Sequence, residues 1–494
     1  MDSLRLGGWA GLAAVVLSIC CQSPAMAAGR CDQLLALLHG QVADATCAES
    51  TDLTTANPAT TPANNAIAGL PAFAFTPQTD RATIAPNPPN QTPLTHAVPG
   101  IQIQARFAKD PLGEARVLIR LPNSWNGKLV VGGASGTRSE FNGDIAWSDY
   151  VLQKGYAYVS QNKGIYNFQL STAADPLACR LNPASSIYVH FYDNDPAALF
   201  TRWNETMLAA ARLGRDAVET RYGRRPARTY AVGTSNGGYQ VRRAVETAPD
   251  LFDGGVDWEG TYVDPARGNI LMSLPPALLN YPDYVASGFD PNGTAAKNIV
   301  AAGYPPDIVS GANSLWGFYW AAYWEITQCQ WQKRLDPTYD TYGAGAANYV
   351  YVDRLSVSDV GANVAAFATT GRIQRPLITV AGTMDALLPI NDQARAYARA
   401  VAAARDDDRG DDHRHDRSPS YRLYEVQNGN HIETYQASFP QLELIEPHAQ
   451  QAFDLLVSHV EQGAALPPDQ CIPRGGSITA TAAQPGHCAS LFVP

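Results

Sequence analysis

A serine in a glycine-rich turn is the residue of this sequence best suited to covalent chemistry. Residues 229–238 read TYAVGTSNGG, so Ser235 is the centre of a Gly-x-Ser-x-Gly motif between a predicted buried strand and a predicted helix. Such a turn is too tight for side chains two positions before and after the serine, and it exposes the hydroxyl at a helix N-terminus. We expect Ser235 to be a nucleophile that attacks a carbonyl carbon. The alternative is a turn without chemistry.

Two partners for this serine follow it in the sequence. A hydroxyl nucleophile needs a base that takes its proton and an acid that orients the base. Asp385 follows a strand predicted at 377–382, and His431 follows one predicted at 421–426. Functional groups gather at such strand ends, so we expect His431 to be the general base and Asp385 the acid. Three other carboxylates remain alternatives for the acid: Asp257, Glu259 and Asp392.

The negative oxygen that forms during acyl transfer needs two hydrogen-bond donors. The backbone N–H of Asn236, directly after the nucleophile, is the first candidate. A glycine-rich loop after the strand predicted at 128–133 offers the second, from Gly133 or Ala134. These glycines are alternatively explained by a tight turn alone.

Apolar runs and helical stretches alternate along the chain. Short runs that are typical of parallel strands buried on both faces lie at 128–133, 156–160, 229–233, 255–258, 377–382 and 421–426. Helical patterns lie at 196–222, 237–247, 391–404 and 445–462. This alternation predicts an α/β fold with a central, mostly parallel sheet.

The alternation lapses over residues 262–371, which we interpret as an insertion, or lid, between the core segments 99–261 and 372–463. Its residues 316–324 read WGFYWAAYW, more aromatic surface than one helical stripe buries. We therefore expect Trp316, Trp320 and Trp324 to contribute to a substrate pocket. The alternative is that these rings form the core of the insertion.

Composition and the chain ends bound the class of protein. The 494 residues carry a net charge of −10, which argues against binding to nucleic acid or to an anionic membrane. Residues 1–27 have the layout of a signal peptide, so we expect a secreted protein. Residues 28–98 are predicted to be largely extended, and residues 464–494 form a C-terminal tail. The oligomeric state is left open.

Six cysteines follow the predicted signal peptide, and an even number in an exported chain favours disulfides. Local spacing pairs Cys31 with Cys47 and Cys471 with Cys488. Cys179 and Cys329 are then left over, and the alternative is that one pair stays reduced. The cysteines and histidines show no zinc-binding spacing, so no metal or cofactor is expected.

Several stretches resemble the tannase and feruloyl esterase group of α/β hydrolases. They are YGRRP at 222–226, YAVGTSNGG at 230–238, PDLFDG at 249–254, and LP at 121–122 with WNGK at 125–128. That group places cysteines directly before the serine and the histidine, whereas this chain has Thr234 and Asn430 there. Its lid often holds calcium, but residues 262–371 lack a run of acidic ligands. The chain is also similar to secreted hydrolases of 3-hydroxybutyrate oligomers.

These resemblances imply an α/β-hydrolase fold and a secreted serine esterase. Its expected substrates are small-molecule or oligomeric carboxylic esters, either aromatic esters or oligoesters. The alternatives are a 3-hydroxybutyrate oligomer or polyester hydrolase, an amidase with the same triad, and a noncatalytic binding protein.

Overall fold

The computed structural model describes residues 24–60, 92–136, 139–141, 143–165, 169–190, 192, 194–195, 197–266, 268–339, 348–409 and 419–494. The predicted signal peptide lies outside these ranges up to residue 23, and its last four residues begin the first helix. Within the described ranges, no helix combines the length and the apolar character needed to cross a membrane.

Eleven strands form one central sheet. Side by side they are β1 (Val42–Ser50), β2 (Gly100–Phe107), β3 (Arg116–Pro122), β5 (Ala157–Gln161), β4 (Lys128–Gly133), β9 (Arg228–Thr234), β10 (Gly254–Trp258), β13 (Leu377–Gly382), β14 (Tyr421–Val426), β15 (Gln470–Ile472) and β16 (Gln484–Pro485). The strands from β5 to β15 run parallel, and those at both edges pair antiparallel. The six predicted core strands are confirmed, each end within one residue.

Helices cover both faces of this sheet. They are α1 (Pro24–Leu38), α2 (Asp149–Leu152), α3 (Thr201–Tyr222), α4 (Asn236–Thr247), α11 (Ala394–Arg409) and α12 (Glu446–Gln462). Leu129 and Val131 of β4 join the core shared with α3 and α4, whereas Val130 joins the opposite core, which contains Phe453 of α12. Successive strand residues point to opposite faces, so a wholly apolar strand can serve two cores.

The insertion is mostly helical. It contains α5 (Ile270–Ala286), α6 (Thr294–Ala301), a hairpin of β11 (Val309–Ser310) and β12 (Asn313–Ser314), α7 (Leu315–Tyr319), a π-helical turn (Trp320–Trp324), α8 (Glu325–Leu335), α9 (Tyr351–Arg354) and α10 (Val360–Ala365). A small second sheet of β6 (Gln169–Ser171), β8 (Tyr188–His190) and β7 (Cys179–Arg180) lies outside the main sheet. Strands of two or three residues carry no readable period, so this sheet was not predicted.

All six described cysteines are paired. The two disulfides inferred from spacing, Cys31–Cys47 and Cys471–Cys488, are confirmed, and Cys179 pairs with Cys329 across 150 residues. The last bond joins β7 to α8 and so fastens the insertion to the second sheet.

The two ends of the chain are more ordered than the sequence suggested. Of residues 28–98, predicted to be largely extended, residues 28–38 belong to the helix α1, whereas β1 is an extended strand; residues 61–91 lie outside the described ranges. The Cys31–Cys47 bond ties this helix to its strand. In residues 464–494, β15 and β16 extend the sheet. Edge strands gain backbone hydrogen bonds that a local pattern does not reveal.

Candidate active site

Ser235 lies in the turn between β9 and α4, with a backbone φ of 59° and ψ of −122°. A positive φ is uncommon for a residue with a side chain and persists only where the surroundings impose it. The flanking glycines explain how the turn packs. A Cβ added to Gly233 would lie 2.5 Å from backbone atoms of Gly237, and one added to Gly237 would lie 2.6 Å from the carbonyl oxygen of Gly133. The motif therefore holds Ser235 against the loop that follows β4.

His431 and Asp385 are joined by a hydrogen bond of 2.8 Å between Nδ1 and Oδ2. Both side chains are buried. The other oxygen of Asp385, Oδ1, accepts the backbone N–H groups of Leu387 and Leu388 at 2.8 and 2.7 Å. These two bonds fix the carboxylate, which in turn orients the imidazole with Nε2 directed away from the acid.

The structure brings the ends of neighbouring parallel strands to one edge of the sheet. Ser235 follows β9, Asp385 follows β13, and His431 follows β14, with β10 between β9 and β13. The N–H of Ser235 donates to the carbonyl of Trp258 at 2.9 Å, which links the serine turn to the end of β10. The three predicted residues therefore share the region where an open α/β sheet binds ligands.

Glu259, at the end of β10, is a second carboxyl beside His431. Its Oε2 lies 3.5 Å from His431 Nδ1, and its Oε1 accepts the N–H of Gly382 at 3.0 Å. Its backbone φ is 51°. Burial, and next the charge of Asp385, raise the pKa of Glu259 well above the usual range of a glutamate. Burial and the neighbouring carboxyl therefore favour the protonated form of Glu259.

The other two alternative acids lie elsewhere. Asp257 is fully buried and paired with Arg242 at 2.6 Å, and it also accepts bonds from Thr379 Oγ1 and the N–H of Gly260. This set of partners gives Asp257 a role in holding strands together. The pKa of Asp392 is raised by burial, and no contact between its carboxyl and His431 occurs in the described part of the chain.

Of the two candidates near the end of β4, Gly133 is the last residue of the strand and pairs with Gly233 of β9, and Ala134 begins the loop that follows. The N–H of Ala134 donates to Gln240 Oε1 at 2.9 Å. Buried Lys163 holds the same loop, since its Nζ donates to the carbonyl of Ser135 at 2.7 Å and to that of Gly136. The first candidate, Asn236, accepts a bond at its side-chain oxygen from the Thr261 hydroxyl at 3.0 Å. Lys163 and Gln240 were not predicted from the sequence, because each is marked there only as a polar residue close to an apolar run.

Known proteins resemble this chain in sequence and in fold. Residues 339–491 match a family model described as 3HB-oligomer hydrolase. The D-(-)-3-hydroxybutyrate oligomer hydrolase of Burkholderia thailandensis is 35% identical over 125 residues, and that of Burkholderia mallei is 34% identical over the same length. Each alignment covers 24% of this chain and spans only 16% of the relative's length.

Among solved structures, feruloyl esterase B from Aspergillus oryzae superposes with a TM-score of 0.52 at 14% identity. The match covers 88% of this chain and 91% of that one. The chain has the α/β-hydrolase fold. The resemblance stated from the sequence is thus confirmed in fold for the feruloyl esterases and in sequence for the oligomer hydrolases.

The insertion contacts both loops that carry the predicted site residues Asp385 and His431. The Tyr319 hydroxyl donates to Asn430 Oδ1 at 2.8 Å, next to His431. The indole N–H of Trp324 donates to the carbonyl of Ala386 at 2.7 Å, next to Asp385. The insertion therefore supports the site from one side.

The three tryptophans predicted to bind substrate lie in different surroundings. Trp316 is 1% exposed and Trp324 is 0% exposed, so neither ring offers open surface in this structure. Trp320 is half-buried and lies against Tyr281, with ring centroids 5.0 Å apart. The cluster is thus largely a core that links the insertion to the hydrolase sheet, with Trp320 at its margin.

Glu259, Asp385 and His431 are also close enough together to serve as three ligands of a metal ion, because their nearest donor atoms lie within 4.8 Å. However, the 2.8 Å contact between His431 Nδ1 and Asp385 Oδ2 is a direct hydrogen bond. The arrangement therefore fits an oriented base better than a metal centre.

Proposed function

We propose that this protein is a serine hydrolase that cleaves carboxylic esters. The observation that carries the proposal is the bonded pair of His431 and Asp385 at the same sheet edge as Ser235, which stands on a turn of positive φ. A hydroxyl, an imidazole and a fixed carboxylate in this chain order are the parts that acyl transfer requires.

In the proposed mechanism, Ser235 Oγ attacks the ester carbonyl while His431 Nε2 takes its proton. Asp385 stabilises the imidazolium that forms. The N–H of Asn236, with that of Gly133 or Ala134, would donate to the negative oxygen of the tetrahedral intermediate. Both remain candidates: the N–H of Ala134 would have to leave Gln240 Oε1, and Gly133 is the last residue of β4. The protonated His431 then releases the alcohol, and water activated by the same base hydrolyses the acyl-enzyme.

Oligoesters of hydroxy acids are the substrate class that the similarities favour. The match to the oligomer hydrolase family spans residues 339–491 and so includes Asp385 and His431. The feruloyl esterase resembles this chain only in fold, which leaves aromatic esters as the competing class. The three disulfides support export to an oxidising compartment, where such oligomers would be met as external substrates.

The test compares Ser235→Ala with Ser310→Ala, which alters an exposed serine of the insertion. Both proteins are assayed with 3-hydroxybutyrate oligomers, feruloyl and galloyl esters, and a short nitrophenyl ester. We expect Ser235→Ala to lose about 10⁴- to 10⁶-fold in kcat, because the members of a triad act as a unit. Ser310→Ala should keep full activity. A folded Ser235→Ala protein that retains most of its activity would refute the proposal.

A further inference from the structure

We propose that Glu259 is a reserve acid, a positioning residue that orients His431 in place of Asp385 when the Asp385 charge is removed. The inference rests on the proposed function, because it assigns a further role within the same site. Glu259 lies at the end of β10, between the strands that carry Ser235 and Asp385.

The geometry favours Glu259 because its carboxyl already points at the imidazole. The distance from His431 Nδ1 is 3.5 Å to Glu259 Oε2, compared with 2.8 Å to Asp385 Oδ2. The N–H of Gly382 fixes the other oxygen of Glu259 at 3.0 Å. A shift of less than one ångström would therefore bring Oε2 into hydrogen-bond range of Nδ1.

Glu259 Oε2 is also a buried oxygen without a hydrogen-bond partner among the described residues. A buried unsatisfied polar atom costs about 1–3 kcal/mol, and a glutamate at positive φ adds backbone strain. Two unfavourable features at one residue are typical of a functional site. His431 Nδ1 lies 3.5 Å from this oxygen, and the indole of Trp258 also faces the Glu259 carboxyl.

The charges around Glu259 explain why it stays in reserve. The titratable groups that face it are Asp385, His431, Glu433 and Tyr319. None of these is a lysine or an arginine, so two carboxylates beside one imidazole would repel each other. Asp385 accepts two backbone N–H groups and lies 2.8 Å from His431 Nδ1, whereas Glu259 accepts one backbone N–H, faces the Trp258 indole and lies 3.5 Å from the imidazole. The protonated form of Glu259 is therefore favoured while the Asp385 carboxyl lies beside it.

Replacing Asp385 by asparagine changes this balance. The nearest negative charge disappears, so the pKa of Glu259 falls, and its proton passes to solvent as the pH rises. The resulting carboxylate can then accept the Nδ1–H of His431 and stabilise the imidazolium. The activity left in Asp385→Asn should therefore depend on Glu259 and increase with pH.

The experiment measures kcat/KM from pH 6 to 9 on a short nitrophenyl ester for wild type, Asp385→Asn, Glu259→Gln and the double variant. The matched control is Asp385→Asn combined with Glu433→Gln. Glu433 is a nearby, half-buried carboxyl that accepts the N–H groups of Ile445 and Glu446. Urea unfolding of each variant shows whether it is folded.

We expect Glu259→Gln alone to change kcat/KM by less than about threefold at pH 7, because a neutral amide replaces a neutral acid. Asp385→Asn should lose about 10²- to 10⁴-fold and then regain about tenfold or more between pH 6 and 9. The double variant with Glu259→Gln should lose this recovery, and the control with Glu433→Gln should keep it. Glu259→Asp in the Asp385→Asn background, which withdraws the carboxyl by one methylene, should also abolish the recovery.

Two results would overturn the inference. One is a pH recovery that is the same with and without Glu259. The other is a folded Glu259→Gln protein as inactive as Asp385→Asn, which would make Glu259 the resident acid. If Ser235→Ala remains active, the proposed function fails; if Ser235→Ala is inactive and the recovery ignores Glu259, only the reserve acid fails.

Discussion

Replacement of Tyr319 by phenylalanine tests whether the insertion positions His431, the proposed base. The change keeps the buried ring and removes only the hydroxyl that donates to Asn430 Oδ1 at 2.8 Å. A neutral buried hydrogen bond contributes about 1 kcal/mol, and an acceptor left unsatisfied costs about 1–3 kcal/mol. We expect the free energy of unfolding to fall by about 1–3 kcal/mol. If about half of this is lost in the transition state, kcat falls about 2- to 13-fold.

The assay pairs urea unfolding with steady-state kinetics on a short nitrophenyl ester and on a 3-hydroxybutyrate oligomer. The matched control is Tyr351→Phe, which removes another hydroxyl of the insertion, bonded to the carbonyl of Pro265 at 2.9 Å. The control should lose stability but keep kcat. Because Tyr319 acts through the His431 loop, its variant should lose kcat equally on both substrates with little change in KM. A Tyr319→Phe protein whose kcat matches that of Tyr351→Phe would show that the insertion only stabilises the fold.

Two further predictions concern the insertion and the response to pH. Trp320→Ala should raise KM for long or bulky esters more than for a short one, because the half-buried ring lies at the margin of the aromatic cluster. Trp316→Ala, which alters a buried ring, should lower the free energy of unfolding without this selectivity. Equal KM changes on both substrates for Trp320→Ala would contradict the prediction. Burial lowers the pKa of His448 from 6.5 to about 4, so the unfolded chain binds a proton that the folded protein does not. The free energy of unfolding should therefore fall by up to about 3 kcal/mol as the pH falls from 6.5 to 4. Urea unfolding of His448→Gln should show a smaller fall, and an identical pH profile would refute this contribution.

The sequence predicted the central sheet well because its strands are continuous apolar runs buried on both faces. Such runs are local signals, and residues 128–133, 377–382 and 421–426 match their strands in the structure without a shift. The positions of Asp385 and His431 followed from the same reasoning, since each comes directly after a parallel strand. Their mutual hydrogen bond could be expected from chain order alone.

Other features depend on contacts between distant parts of the chain. The sequence offered Glu259 only as one of three alternative acids, because the 3.5 Å approach to His431 depends on how β10 and β14 end. The aromatic segment predicted a pocket, but Trp316 and Trp324 are buried by residues distant in the chain. Tyr284 of α5 packs on Trp316, and Tyr281 of α5 and the carbonyl of Ala386 contact Trp324. Lys163 and Gln240 could not be singled out, since a buried polar residue is recognised only by its partners.

The Cys179–Cys329 bond determines how the insertion can move. The insertion leaves the sheet after β10 and returns at β13, whereas Cys179 belongs to the segment between β5 and β9. The covalent attachments of the insertion therefore lie on both sides of β9, the strand that Ser235 follows. Because the insertion is attached at both places, it cannot rotate as a rigid body about one attachment while the other stays intact. Reduction of the Cys179–Cys329 bond should therefore remove one of these attachments and leave the insertion joined to the rest of the chain only after β10 and before β13.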